Sequence, residues 1–253
     1  MRIPVIQGVI DRRILVNFRV DPTVLAKVLP APFRPKLMGK MGMAGICLIR
    51  LKDIRPKHLP ALMGMSSENA AHRIAVEWDA DGETRQGVYI LRRDTSSRMN
   101  ALVGGRVFPG VHSLAAFDVH EHDDHYELRI DSSDDQVHIL LNARLSKEFP
   151  KSSIFESLQA ASAFFEAGSV GYSPGTRARE YDGLELRSQN WKVESLDVEQ
   201  VKSNFFDDAA RFPEGSVQFD CALLMRGIEH EWHERVSICA PCAASAGEKS
   251  TGA

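Results

Sequence analysis

The sequence has little cysteine, no long apolar run and no large excess of charge of either sign. Its 253 residues include four cysteines, too few for a disulfide scaffold, so we expect reduced thiols and a cytoplasmic protein. No apolar run approaches the roughly 18 residues of a membrane-spanning helix, and residues 1–13 lack the features of a secretory signal. The 31 basic residues are matched by 34 acidic ones, and this net charge of −3 disfavours nucleic acid or a membrane surface as a partner.

The apolar pattern predicts a protein made mostly of antiparallel strands. Short alternating segments recur up to about residue 239, and few helical segments separate them. We therefore expect an α+β fold, predominantly antiparallel β, in which a curled sheet or closed barrel carries a few peripheral helices. Residues 1–240 are expected to form a single domain, and the small and polar residues of 241–253 are expected to form a disordered tail.

Local signals predict the helices. Residues 22–29 follow Asp21, which suits the N-cap, and begin with a proline at the first helical position. Ser153 and Glu156 have capping-box spacing, which predicts a helix that begins at Ser153. A further short helix is expected near 197–206.

Two histidine-rich segments contain residue types that bind metal ions. In the segment HEWHE, His230 and His233 are three residues apart on a predicted strand and face opposite sides, unlike the paired histidines of a zinc protease. Adding Cys239 and Cys242 gives a set of zinc-binding residue types, but that cysteine pair leads into the expected tail. The segment HEHDDH (120–125) reads as a solvated turn. We predict no metal, and no cofactor either, because phosphate-binding and dinucleotide-binding loops are absent from the sequence.

Three polar residues stand out as candidate site residues. Glu68 lies at the entry to a strand, where carboxylates commonly line cavity mouths, although a solvated loop carboxylate is the alternative. Arg106 and His112 flank a sharp turn at 109–110 in the segment ALVGGRVFPGVHSLAAF. Arg106 has the alternative of binding the last carbonyl groups of a preceding helix. We expect all three side chains to line one largely apolar cavity.

Strand alternation extends this expectation to the residues that follow the turn. It places His112, Leu114 and Ala116 on the inner face of the sheet, and Ser113, Ala115 and Phe117 on the other. Partial burial of His112 should favour its neutral form, because a charged imidazole loses hydration there, while a nearby Glu68 would oppose that shift.

Three segments together resemble the acetoacetate-decarboxylase-like superfamily, and within it the YqjF-like branch. RRILVNFRVDPTVLAKVLPAPFRP resembles the family's opening strand and short leucine-rich helix. SSENAAHRIAVEW resembles the loop that carries an active-site glutamate, which falls on Glu68. ALVGGRVFPGVHSLAAF resembles the segment with Gly-Arg-Glu, a spacer and Pro-Lys-Lys. The similarity covers about residues 6–240 and is compatible with a homo-oligomer.

The lysine pair of the decarboxylases is missing from this sequence. In that family one lysine forms a Schiff base with the substrate ketone, and the pair aligns here near Ser113 and Leu114. No lysine occurs between Lys57 and Lys147, and histidine cannot replace it because it has no primary amine. The resemblance therefore implies a small-molecule cavity without Schiff-base chemistry.

The resemblance also implies a substrate-binding arginine near the first strand. It falls at Asp11 or Arg12, depending on a one-residue shift in the alignment.

Two classes of function remain open at this stage. In the first, His112 and Glu68 are an acid/base pair, and Arg106 or Arg12 binds the carboxylate of a small keto or hydroxy acid, as in a lyase, hydratase or tautomerase. In the second, the cavity binds an apolar or weakly acidic ligand without turnover. A structural oligomer with an unused pocket is the third alternative.

Overall fold

The computed structural model describes residues 4–103, 110–175 and 177–240. The strands are β1 Ile6–Val20, β2 Arg34–Pro35, β3 Leu37–Met38, β4 Met41–Pro56, β5 Met65–Ala80, β6 Glu83–Thr95, β7 His112–His122, β8 His125–Ser132, β9 His138–Ser146, β10 Val170–Pro174, β11 Glu180–Ser188, β12 Glu194–Ser203 and β13 Val217–Cys239. The helices are α1 Pro22–Val28, α2 Arg98–Val103 and α3 Leu158–Glu166, with a short 3₁₀ helix at Ala61–Met63.

The described strands form one large curled sheet. Nine of them pair in a ring, in the order β6, β7, β8, β9, β12, β13, β1, β4 and β5, and β5 pairs again with β6. All of these pairs are antiparallel except β6 with β7, and β10 also pairs with β6 in parallel. The predicted fold class is confirmed: the sheet is mostly antiparallel and curled, and few helices accompany it.

Two apolar clusters lie on the two faces of this sheet. Every strand of the ring contributes to the inner cluster, with Ile14 of β1, Ile74 of β5 and Leu224 of β13 among its members. A cluster that receives side chains from every strand of a closed ring lies within the ring. The outer cluster takes the alternate positions, such as Leu15 of β1, and covers them with the aromatic side chains of α3.

Helix α1 begins as the sequence predicted. The Asp21 side chain accepts a hydrogen bond from the backbone N–H of Thr23 at 2.8 Å, and Pro22 occupies the first helical position. No helix within the described residues is long and apolar enough to span a membrane.

The predicted start of α3 is wrong because a distant carboxylate binds the segment. Ser153 donates its hydroxyl to Asp220 Oδ2 at 2.6 Å, and the N–H of Ile154 donates to Asp220 Oδ1 at 2.9 Å. The helix begins later, with Ser157 as N-cap accepting from the N–H of Ala160 at 3.1 Å.

The helix predicted near 197–206 is also wrong. Most of that segment belongs to β12, which pairs with β9 and has a register shift between Val198 and Gln200. A bulge of this kind changes the alternation of apolar residues locally, so that their spacing resembles a helical one.

Candidate functional site

One row of residues crosses four neighbouring strands on the outer face of the sheet. Cys47 of β4 lies opposite Ala71 of β5, Ala71 lies opposite Arg93 of β6, and Arg93 lies opposite His112 at the start of β7. Residues directly opposite each other on paired strands have side chains on the same face. All four line a single cavity of about 160 Å³.

The cavity is mostly apolar, and aromatic side chains cover it. Its wall includes Phe165 of α3, Leu186 of β11, Trp232 of β13 and Trp191. An apolar cavity with a few polar groups is the usual form of a small-molecule site.

Three arginines line this cavity, namely Arg13 of β1, Arg73 of β5 and Arg93 of β6. Within the described part of the chain, none of these guanidinium groups forms an ion pair with a carboxylate. Each has one buried nitrogen without a hydrogen-bond partner among the described residues: Nη1 of Arg13 and Nε of Arg73 and Arg93. The one carboxylate in the described lining, Asp94, pairs with Arg92 instead, so the three arginines carry positive charge that no ion pair offsets among the described residues.

Neutral groups hold two of these arginines in place. Arg73 donates through Nη2 to Asn17 Oδ1 at 2.8 Å, and its guanidinium lies 5.1 Å from the centre of the Phe165 ring. Arg93 donates through Nη2 to Ser173 Oγ at 3.0 Å. Burial lowers the pKa of Arg73 and of Arg93 to about 10, so both side chains still carry their charge at pH 7.

Arg13 lies beside the thiol of Cys47. Its Nε donates to Cys47 Sγ at 3.3 Å, and its guanidinium lies 5.6 Å from the centre of the Trp191 ring. Contact with the electron-rich face of tryptophan stabilises a cation without neutralising it.

His112 enters the cavity directly after a turn that requires glycine. Gly110 has φ +85°, and a Cβ at this position would lie 3.0 Å from the side chain of Ser173. His112 Nδ1 lies 3.2 Å from the carbonyl oxygen of Gly110, so Nδ1 carries the hydrogen and Nε2 carries the lone pair. Burial, together with the charge of Arg93, lowers the pKa of His112 to about 4. The imidazole is therefore neutral at pH 7, as the sequence led us to expect.

Glu68 lies on the opposite face of β5, in a cluster of ion pairs. Its Oε2 lies 2.6 Å from Arg12 Nη2 and its Oε1 lies 2.5 Å from Arg50 Nε. Glu121 of β7 binds the same two arginines, with 2.8 Å between its Oε1 and Arg50 Nη2. We call Arg12, Arg50, Glu68 and Glu121 the ion-pair cluster. Its two positive and two negative charges cancel.

The structure brings some of the predicted site residues together and separates others. Arg12, rather than Asp11, contacts Glu68, but neither Arg12 nor Glu68 is among the residues that line the cavity with His112. The expected single cavity for Glu68 and His112 is therefore not found, because the two side chains lie on opposite faces of the sheet. Arg106 lies outside the described residues.

The inner and outer faces predicted for β7 are reversed. Ala115 is buried in the inner cluster, Phe117 and Val119 pack against that cluster, and Ala116 is exposed. His112 accordingly belongs to the outer face, where the cavity lies.

Our sequence reasoning missed the arginines of the cavity. Arg73 and Arg93 stand in strongly apolar strands, in HRIAVEW and VYILRRD. A charged residue within such a strand is a signal of a functional site, because burying a charge is costly unless a partner compensates it. Among the described residues, no group of three or more His, Cys, Asp or Glu side chains is arranged to hold a metal ion.

The chain has the fold of several solved enzymes. It resembles acetoacetate decarboxylase from Legionella pneumophila, with a TM-score of 0.59 and 9% identity over 92% of this chain and 87% of that one. An acetoacetate decarboxylase-like enzyme from Sphingomonas wittichii RW1 gives a TM-score of 0.56 and 12% identity over 95% and 94%. The enduracididine biosynthesis enzyme MppR complexed with pyruvate gives 0.57 and 10% over 94% and 91%.

Sequence comparison identifies the family. No curated protein matches the chain. A family described as an uncharacterized conserved protein (COG2071) matches it over residues 10–227. The chain therefore belongs to this family, DUF2071, and it has the fold of the acetoacetate decarboxylases that its sequence segments resemble.

Proposed function

We propose that the protein binds a small keto or hydroxy acid in the outer-face cavity and that His112 transfers a proton on the bound acid. The observation that carries this proposal is the set of Arg13, Arg73 and Arg93, which line the cavity and have no carboxylate partner among the described residues. An anionic ligand is the natural counterion for such a set.

The unpaired N–H groups favour a carboxylate as the ligand group. A buried donor without an acceptor costs free energy, and a buried charge without a partner costs more. Nε of Arg73 and Nε of Arg93 are both buried donors without an acceptor among the described residues. A carboxylate has two oxygens in a plane, which suits the planar donor groups of arginine. A bound acid would supply these donors with an acceptor and these charges with a counterion. Binding would therefore recover the free energy that their burial costs in the empty cavity.

The position of His112 supports its role as a base. It lies directly opposite Arg93 on the neighbouring strand, so an acid held by Arg93 has its carbon chain, with the protons next to the keto or hydroxy carbon, close to the imidazole. The neutral ring with its lone pair on Nε2 accepts a proton. The bound carboxylate would also offset the charge of Arg93, one cause of the low pKa of His112, and would bring that pKa closer to neutrality. A lyase, hydratase or tautomerase reaction on a small acid begins with such a proton transfer.

The composition of the cavity argues against Schiff-base chemistry. No lysine is among the described residues that line it. Arginine is a poor amine nucleophile because it stays protonated. We therefore assign the cavity no imine intermediate, in contrast to the decarboxylases that the sequence resembles.

We assign different roles to the other residues selected from the sequence. Glu68 and Arg12 stabilise the fold in this proposal, because each already has a partner of opposite charge. Arg106 remains a proposed substrate-binding residue, since it lies six positions before His112 in the chain.

Calorimetric titration with pyruvate tests acid binding. The methyl ester of pyruvate is the neutral control, and Arg93→Gln is compared with Arg85→Gln, a change at an exposed position of the same strand. We expect pyruvate but not its ester to bind, and Arg93→Gln alone to weaken binding about tenfold or more. Equal binding of acid and ester would contradict the proposal.

Proton exchange separates catalysis from binding alone. Exchange of the methyl protons of pyruvate with deuterated water, followed by NMR, reports proton removal next to the keto group. We expect the protein to accelerate this exchange and His112→Gln to abolish the acceleration while pyruvate still binds. Binding without exchange would favour the second candidate, a non-catalytic binder of weakly acidic ligands, which the apolar wall with Trp191 and Trp232 supports.

We also propose that the protein is cytoplasmic and forms homo-oligomers. Several large apolar side chains are exposed, among them Leu62 at 98% and Leu102 at 87%, and exposed apolar surface commonly marks a protein contact. Light scattering on the purified protein measures the oligomeric state. A monomer at all concentrations would contradict the proposed homo-oligomer.

A further inference from the structure

We infer that Cys47 is a nucleophile of the cavity and that it reacts covalently with small carboxylic acids that carry an electrophilic carbon. This inference rests on the acid binding proposed above, and it adds a reactive site to it. Cys47 lines the cavity and is 7% exposed.

Two arginines flank the thiol. Arg13 of β1 directs its Nε–H at the sulfur at 3.3 Å. Arg73 is two positions from Ala71, the residue opposite Cys47 on β5, so it lies diagonally across from Cys47 on the same face. Reactive cysteines are found in such electropositive, partly accessible surroundings, because the thiolate is the nucleophilic form.

A second observation points to a ligand beside this thiol. Arg73 is only 6% exposed, lines the same cavity, and its Nε has no acceptor among the described residues. An acid whose carboxylate binds this guanidinium would hold its own carbon chain next to Cys47. The arginine thus selects anionic reagents, and the thiol attacks them at high effective concentration.

The reaction is balanced without a further reactant. With an α-halo acid, the sulfur forms a bond to the α-carbon, the carbon–halogen bond breaks, halide leaves, and the thiol proton passes to water. With an α,β-unsaturated acid, the sulfur bonds to the β-carbon, the electron pair of the double bond moves to the α-carbon, and that carbon takes up a proton from water. The net change is addition of S–H across the double bond.

His112 has no part in this step. Ala71 and Arg93 separate it from Cys47 in the row across the sheet, and three strand spacings correspond to roughly 14 Å. Cys47 and His112 therefore act at opposite ends of the cavity.

The other cysteines provide internal controls. Cys221 is fully buried, and burial raises the pKa of its thiol, so we expect it to be unreactive. Cys239 is exposed and reports the behaviour of an ordinary thiol. Cys242 lies outside the described residues, and Cys242→Ser removes its contribution.

Alkylation of the folded Cys242→Ser protein by iodoacetate and by iodoacetamide tests the inference. Peptide mass spectrometry measures the two rate constants at Cys47 and at Cys239. We expect the ratio of the iodoacetate rate to the iodoacetamide rate to be about tenfold or more higher at Cys47 than at Cys239, since the arginines attract only the anionic reagent. Modification of Cys47 by iodoacetate should saturate. Pyruvate that binds Arg73 should protect Cys47, whereas the methyl ester should not.

A substitution tests directly whether Arg73 selects the anionic reagent. Arg73→Gln should bring the rate ratio at Cys47 down to that at Cys239, whereas the control Arg85→Gln should leave it unchanged. If Arg73→Gln does not fold, protection by pyruvate against its ester answers the same question without a mutation.

Three results would overturn the inference: the same rate ratio at both cysteines, a Cys47 that reacts with neither reagent, or an absence of protection by pyruvate. If calorimetry nevertheless detects pyruvate binding, the proposed function stands and only the role of Cys47 is lost. If calorimetry detects no binding, acid binding itself fails.

Discussion

Arg93 and His112 lie directly opposite each other on the parallel strands β6 and β7, and both side chains line the same cavity. The charge of Arg93 is one of the causes that keep His112 neutral. Any ligand that neutralises Arg93 therefore changes the basicity of His112. This coupling gives the cavity a way to increase the basicity of the imidazole when an acid binds.

Arg93→Gln should raise the pKa of His112 in the ligand-free protein. Removing a nearby positive charge makes protonation of the imidazole easier, although burial still opposes it. An NMR titration of the His112 ring measures the pKa, and Arg85→Gln on the same strand is the control. A pKa that stays at about 4 in Arg93→Gln would show that the two side chains are not coupled.

Low pH should destabilise the protein, because two buried histidines stay neutral in the folded state. Burial lowers the pKa of His72 to about 3 and that of His230 to about 4, while an unfolded histidine has a pKa of about 6.5. Below pH 6.5 the unfolded state binds protons that the folded state does not, so stability falls as the pH falls through this range and levels off near the folded pKa values. At pH 5 the loss is about 2 kcal/mol for each such histidine.

His72→Phe tests this assignment at one position. The His72 ring lies 4.2 Å from the ring of Phe205, and neither ring nitrogen has a hydrogen-bond partner among the described residues. A phenyl ring loses no hydrogen bond there and takes up no proton. Urea unfolding at pH 7 and pH 5 should show a smaller loss of stability for His72→Phe than for the unaltered protein. The same loss in both proteins would place the acid sensitivity elsewhere.

Glu68→Gln should destabilise the fold without weakening acid binding. It leaves the buried charge of Arg12, which is 1% exposed, with Glu121 as its one remaining carboxylate partner among those described. Breaking a buried ion pair commonly costs about 3–5 kcal/mol, and the shared partners should reduce this cost. Glu77→Gln on the same strand is the control, because the Glu77–Arg34 pair is more exposed. A Glu68→Gln protein of unchanged stability that no longer accelerates proton exchange would assign Glu68 to catalysis instead.

The protein should form no imine with acetoacetate. The described lining of the cavity has no lysine, and no other common side chain supplies a primary amine. Borohydride reduction in the presence of acetoacetate, followed by intact mass measurement, detects an imine as a stable adduct. A stoichiometric adduct on one lysine would contradict the assignment of the cavity.

The sequence predicted elements whose signals are local. Helix α1 follows from Asp21 and Pro22, which are adjacent to it, and the sheet follows from alternation along each strand. The start of α3 was not predictable in the same way, because Asp220 of β13 binds Ser153 from 67 positions away. Local patterns contain no information on such a partner.

The candidate site was harder to predict because it depends on strand register. His112 was identified from its turn, but Arg93 and Cys47 come to line the same cavity as His112 only through the pairing of β4, β5, β6 and β7. Glu68 shows how strongly the prediction of a site residue depends on the exact register of its strand. It is one residue away from Asn69, which lines the cavity, and a shift of one position on a strand moves a side chain to the other face.

The pKa of His112 in the presence of pyruvate tests the central claim most directly. NMR titration of the ring, with and without saturating pyruvate, compares the empty and the occupied cavity. The account predicts that pyruvate raises the pKa of His112 above its ligand-free value of about 4, because the carboxylate offsets the charge of Arg93, and that methyl pyruvate leaves it unchanged. A pKa that pyruvate does not move at any concentration would contradict acid binding beside His112.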